Sequence, residues 1–160
     1  MNREGDQFTT LQAAHHQGIL TKGQEQFYLA QLYISQGMPM RATDIVETGI
    51  KAGVIEKKTE HYRFLADARY TAKELDSAIK WYKVAGDMGD TADPWFFLGQ
   101  IYMQQEDWQN AVDAFENAVK KNNAAPRDKR MQAIGTAHFN LGIAYYTLKK
   151  PKEAKVAFER

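Results

Sequence analysis

The sequence predicts an all-α protein: a right-handed α-solenoid of stacked helix–turn–helix units. Three observations carry that expectation. A pattern W-x2-L-G-x2-Y runs from Trp95 to Tyr102, and its near copy H-x2-L-G-x2-Y runs from His138 to Tyr145. Small residues recur downstream of each copy, with Ala42, Ala78, Ala111 and Ala154 standing 36, 33 and 43 residues apart. No segment alternates apolar and polar residues with the period of two that a half-buried strand requires. A lone helix pair cannot bury its own apolar face, so units of this kind must stack.

The elements follow in order. Phe8, Leu11, Ala14 and Ile19 are spaced as the second helix of a unit whose first helix is missing, an orphan helix over about 6–18. The first complete repeat covers about 23–56. Leu29, Ala30 and Tyr33 lie on its first helix, Gly37 makes the turn, and Pro39 opens a second helix carrying Ala42, Ile45 and Val46. Proline suits that place because the first helical N–H has no partner to lose. The second repeat, about 59–92, carries Tyr62, Leu65 and Ala66, then Ala78, Tyr82 and Ala85; Arg69 stands where the tyrosine belongs, which marks the unit as degenerate. The third, about 92–125, starts at Asp93-Pro94, with Asp107 as the cap of its second helix. The stretch 121–127 reads as a loop from its asparagine pair and proline, and the next helix is expected to start early and run long. The fourth repeat, about 127–160, reopens at Pro151, the counterpart of Pro39, and the chain stops inside that helix after Phe158. The whole of 1–160 therefore reads as one segment of a longer array.

This is the signature of the tetratricopeptide repeat, whose period is about 34 residues. The sequence is also similar to a narrower group. The run QGMPMRATDIVETGIKAGVIEK (36–57), the alanine-rich LADARYTAKELDSAIKWYKVA after it, the Leu/Gly/Gln-Ile-Tyr helix and Trp108 occur in an order that resembles the C-terminal part of periplasmic tetratricopeptide proteins associated with TonB–ExbB–ExbD energy-transduction systems. The resemblance implies a periplasmic helper scaffold for TonB-dependent uptake of iron complexes; a cytoplasmic adaptor is the alternative.

Composition narrows the function classes. Twenty-one basic and 20 acidic residues leave a net charge of +1, which argues against a nucleic-acid-coating surface. The absence of cysteine excludes disulfides and thiolate metal sites. No stretch approaches the roughly 20 apolar residues of a membrane span, and charges and histidines interrupt any signal-peptide core near the start.

No catalytic constellation is legible, and neither a cofactor nor a metal is expected. His15 and His16 are adjacent, about 100° apart around a helix; His61 reads as a surface histidine beside Glu60; His138 replaces a tryptophan and reads as packing. The calcium-loop, nucleophile-elbow and phosphate-loop patterns are all absent.

The expected function is a non-catalytic protein-interaction scaffold. In repeats of this family the first helix of each unit lines the concave face. Carried across by register, that face shows Phe27, Gln31 and Ile34, then Arg63, Asp67 and Tyr70, then Phe96, Gln100 and Met103, then Phe139, Ile143 and Tyr146. Phe96 and Tyr70 are the expected anchors, as aromatics not needed for packing. A protein or peptide partner is expected there, a TonB-system component on the resemblance; nucleic acid and direct membrane insertion are not. Chaperone-binding members clamp a carboxylate with lysine, asparagine and arginine, whereas Phe27, Gln31, Phe96 and Gln100 stand here. A self-assembly module, stacking weakly through exposed array ends, is the alternative.

Overall fold

The computed structural model describes residues 3–160, which form nine α-helices, a single 3-10 turn and no strand. The chain forms two compact units, 1–78 and 79–160. The division falls inside a helix, within the second repeat.

The first unit holds α1 (Arg3–His16), α2 (Gly23–Ser35), α3 (Pro39–Lys51), α4 (Thr59–Thr71) and the start of α5 (Leu75–Met88). Its core is the apolar stripe expected from the repeat pattern: Leu29, Ala30, Ala42, Val46, Leu65 and Ala66 are all fully enclosed. Alanine at these places lets neighbouring helices approach closely without a void. The Phe8 ring meets Tyr33 edge-on at 5.0 Å and ties α1 to α2. Pro39 sits in the first turn of α3, as its missing N–H allows. His61, expected at the surface, is instead only 8% exposed. Its Nδ1 lies 2.7 Å from the Glu56 carbonyl and its ring 4.4 Å from that of Phe27, so packing between α2 and α4 accounts for it.

The second unit holds the rest of α5, then α6 (Asp93–Gln104), α7 (Trp108–Ala124), a 3-10 turn at Arg127–Lys129, α8 (Ile134–Thr147) and α9 (Pro151–Phe158). Asp107 caps α7, accepting from the Asn110 N–H at 3.3 Å. Phe115 fills the space beside Gly99: a Cβ on that glycine would come within 2.7 Å of the ring.

Two boundaries differ from expectation. The 121–127 stretch is not a loop throughout, because α7 runs 17 residues, to Ala124. Nor does α8 start early; it begins at Ile134 and spans 14 residues. The extra residues of the third spacing are thus absorbed by a longer second helix and an ordered crossing. Buried Asn122 organises that crossing by accepting the Met131 N–H at 2.7 Å, and the Lys121 ammonium donates to the Gly89 carbonyl at 2.6 Å. Asparagine in 121–127 acts as a long-range hydrogen-bonding group here, not as a turn former.

The turn inside each repeat has one geometry. Gly37, Lys73, Glu106 and Lys149 all have positive φ, between 59° and 72°. They recur at the same 36, 33 and 43 spacings as the core alanines. Only the first repeat uses the residue that adopts this conformation without a steric cost.

Candidate partner-binding surfaces

The expected site residues fall at i, i+4 and i+7 on each first helix, so each trio shares one helical face. Their exposure varies widely. In the first unit Gln31 and Asp67 are exposed, Tyr70 is 40% exposed, and Phe27 is half-buried against His61 and Phe64, the latter ring at 5.1 Å. Arg63 reaches back to Asp67, Nε to Oδ2 at 3.7 Å, so this pair spends part of its charge locally. In the second unit Gln100 is exposed and Met103 half-buried. Phe139 and Tyr146 are 57% and 72% exposed. Phe139 has a ring neighbour in Phe158 at 5.7 Å.

Phe96 requires a correction. The sequence expectation treats it as an anchor free of packing, yet it is 7% exposed, with its ring 5.7 Å from Phe97 and 6.0 Å from Phe115. It is a core residue. Its spacing matches that of Phe139, but the rings around it enclose it.

A second feature, absent from the sequence expectation, is a seam between successive repeats. The tyrosine position of each first helix contacts one fixed position on the preceding second helix. In the first unit Gln12 donates to the Tyr33 hydroxyl at 3.1 Å, and Arg69 donates to Glu47 at 2.7 Å. In the second unit Lys83 lies 5.7 Å from the Tyr102 ring centre, and the Tyr145 hydroxyl donates to Glu116. Arg69 therefore does in its repeat what tyrosine does in the others, and the repeat is not degenerate at this contact. Burial opposes the Arg69 charge, but its hydrogen bonds to Glu47 and Glu74 outweigh that and hold its pKa above the ordinary value. Burial also pushes the Tyr145 hydroxyl upward, and the Glu116 carboxylate adds to the shift. Tyr145 is thus a neutral donor, and no proton chemistry is expected of it.

The seam borders two grooves, each lying between successive second helices and floored by a first helix. In the first unit a groove of about 250 Å³ includes His15, Gln26, Tyr33, Asp44 and Val54 in its lining. In the second unit a larger one of about 560 Å³ lies over α8, between α7 and α9. His138, Leu141 and Tyr145 form its floor. His138 is half-buried, and its Nδ1 is enclosed without a hydrogen-bond partner. Burial pulls the His138 pKa below its ordinary value, and the nearby Arg160 charge pulls it further. These grooves lie outside the sequence expectation, which places recognition on the first helices. The outward-facing positions of α7 and α9, read in the same register, would have pointed to them.

Among the described residues no group of three or more histidines, cysteines, aspartates or glutamates is placed to hold a metal ion. No helix there is long and apolar enough to cross a membrane.

Comparison with known proteins agrees with this architecture. Residues 27–94 and again 90–160 match the tetratricopeptide repeat family. No curated protein matches the chain. Among solved structures, one of MamA is 19% identical over 98% of this chain and 87% of its own, with a TM-score of 0.74. The C-terminal part of a repeat-containing protein from Cytophaga hutchinsonii is 16% identical over 99% of this chain and 58% of its own, with a TM-score of 0.72. YrrB, a tetratricopeptide protein with an unusual peptide-binding site, is 14% identical over 87% of this chain and 66% of its own, with a TM-score of 0.64. At such identities the likeness is one of fold. The family is in general non-catalytic, and its members bind protein or peptide partners. With family matches running from residue 27 to 160 and helix pairs in the same register, the chain belongs to the tetratricopeptide repeat family and has its all-α solenoid fold.

Proposed function

We propose that this chain is a non-catalytic scaffold that holds a segment of a partner protein against the outward faces of its first helices. The carrying observation is the pair Phe139 and Tyr146, two large side chains 57% and 72% exposed and seven residues apart on one face of α8. Aromatic side chains concentrate binding energy when a partner desolvates them. Exposed Gln100 and half-buried Met103 on α6 add an amide and an adaptable thioether. In the first unit Gln31, Tyr70 and the Arg63–Asp67 pair offer a similar mixture. The peptide-binding site of YrrB supports the reading by analogy of fold.

A periplasmic location and a TonB-system partner rest on the resemblance of residues 36–57 and the helices after them. The test is binding of the purified chain to the periplasmic segment of TonB and to the soluble domain of ExbD. Tyr146→Ala or Phe139→Ala should weaken a true complex by about 2 kcal/mol, roughly thirtyfold, with helicity unchanged. Binding by neither protein would remove the TonB assignment. Normal binding by both variants would remove the first-helix face.

Self-assembly is the second reading, favoured by Val156 and Phe158 on α9, 52% and 47% exposed. Mass measured across a concentration series separates the two: a partner-binding monomer stays constant, whereas an assembling chain grows.

A further inference from the structure

We infer that the groove over α8 is a second, separate docking site, fitted to an acidic peptide segment that carries one aromatic side chain. At about 560 Å³ it falls within the roughly 300–1,000 Å³ usual for ligand pockets. It lies on a different face of α8 from Phe139 and Tyr146, since His138 and Tyr145 on its floor each precede one of them by one residue, about 100° around the helix. It therefore stands or falls apart from the first-helix reading.

Three features fix the chemistry of the occupant. Leu141, Val119 on α7, and Val156 and Ala157 on α9 make the groove apolar, so the occupant needs an apolar body to cover them. Val156 is 52% exposed, and covering it returns the usual gain for apolar area removed from water. The charged rim is unequal. Lys120, Lys152 and Arg160 line it, and none of the three makes an ion pair among the described residues. The two carboxylates, Glu116 and Glu153, offset two of these charges and leave the rim with one positive charge in excess. A partner with carboxylates complements that excess; a basic one meets like charge. Finally, His138 on the floor has an enclosed Nδ1 without a hydrogen-bond partner, which is unfavourable for a buried polar group. Turned toward the groove, the ring would donate that N–H to a peptide carbonyl or carboxylate.

Length favours a peptide. The α7 wall runs from Glu116 to Asn123, about 11 Å along the helix. About three or four extended residues span that distance: one aromatic anchor and its acidic neighbours.

The test uses the full chain and a fluorescein-labelled peptide of aspartates and glutamates around one central tryptophan, read by anisotropy. Saturable binding is expected, weakened by added salt. Replacing the tryptophan by alanine, or the acids by lysine and arginine, should weaken it at least about tenfold. On the protein, Val156→Asp and the Lys120→Glu/Lys152→Glu pair should each do the same. All three are outside the core, and helicity and melting temperature confirm that the variants fold. No saturation by the acidic peptide overturns the proposal. So does equal binding of the basic peptide, or full binding by both groove variants. Loss of binding in Tyr146→Ala with the groove variants unaffected would place the peptide on the first-helix face instead.

Discussion

The third and fourth repeats carry the same pattern in the same unit and yet pack differently. Gly99 faces Phe115, and Gly142 faces Phe158; an added Cβ would come within 2.7 Å and 2.5 Å of the respective rings. Phe115 is fully buried, whereas Phe158 is 47% exposed. The reason is the neighbour. Helix α7, which carries Phe115, packs extensively on both α6 and α8, while the extensive packing of α9 among the described residues is on α8. The repeat pattern thus specifies a pairwise contact, and the next element in the stack decides how much that contact is worth.

The largest expected effect tests that difference directly. Phe115→Ala should destabilise the second unit by about 3–5 kcal/mol, the usual range for emptying a core aromatic site. Phe158→Ala should cost less than half as much, since much of its ring already meets water. Urea unfolding followed by circular dichroism reads both, and equal losses would break the comparison.

The glycines sharpen it. Gly99→Ala forces a methyl group into an enclosed ring and should cost about 1–3 kcal/mol. Gly142→Ala meets a ring that can swing outward. Alanine also gains about 0.5–1 kcal/mol over glycine within a helix, so this change should be close to neutral. Thermal melts of the two variants should differ visibly. A heavy loss for Gly142→Ala would show that Phe158 is held as firmly as Phe115.

The smallest effect compares the first turn with the fourth. Gly37 takes its positive φ of 72° freely, while Lys149 holds 60° with a side chain. Lys149→Gly should relieve that conformation and stabilise the second unit by about 0.5–1 kcal/mol, after allowing for the greater freedom of glycine in the unfolded chain. An unchanged or lowered melting temperature would mean that the lysine side chain makes a compensating contact.

Much of this fold is legible in sequence because the determining interactions are periodic. Ala42, Ala78, Ala111 and Ala154 are all 2% exposed or less. Proline opens α3 and α9, and Asp107 caps α7, each by local backbone chemistry that needs no distant partner. The 121–133 region was less legible, since Asn122 finds its partner nine residues away at Met131. Composition there describes a loop, but the pairing extends a helix.

The candidate site divides along the same line. Register alone puts Phe27, Phe96 and Phe139 on equivalent faces of α2, α6 and α8. Their burial then depends on what surrounds each ring: His61 and Phe64 for the first, Phe97 and Phe115 for the second, Phe158 and water for the third. Arg69 makes the same point in reverse. Its departure from tyrosine looked like decay of the pattern, but Glu47 on the preceding helix turns it into the same seam contact. The sequence by itself determined the helices, their register and the positions that must be small. Which aromatics became core, which polar groups paired across repeats and where a groove stayed open were decided by tertiary structure alone, because burial and pairing belong to the neighbours that packing supplies.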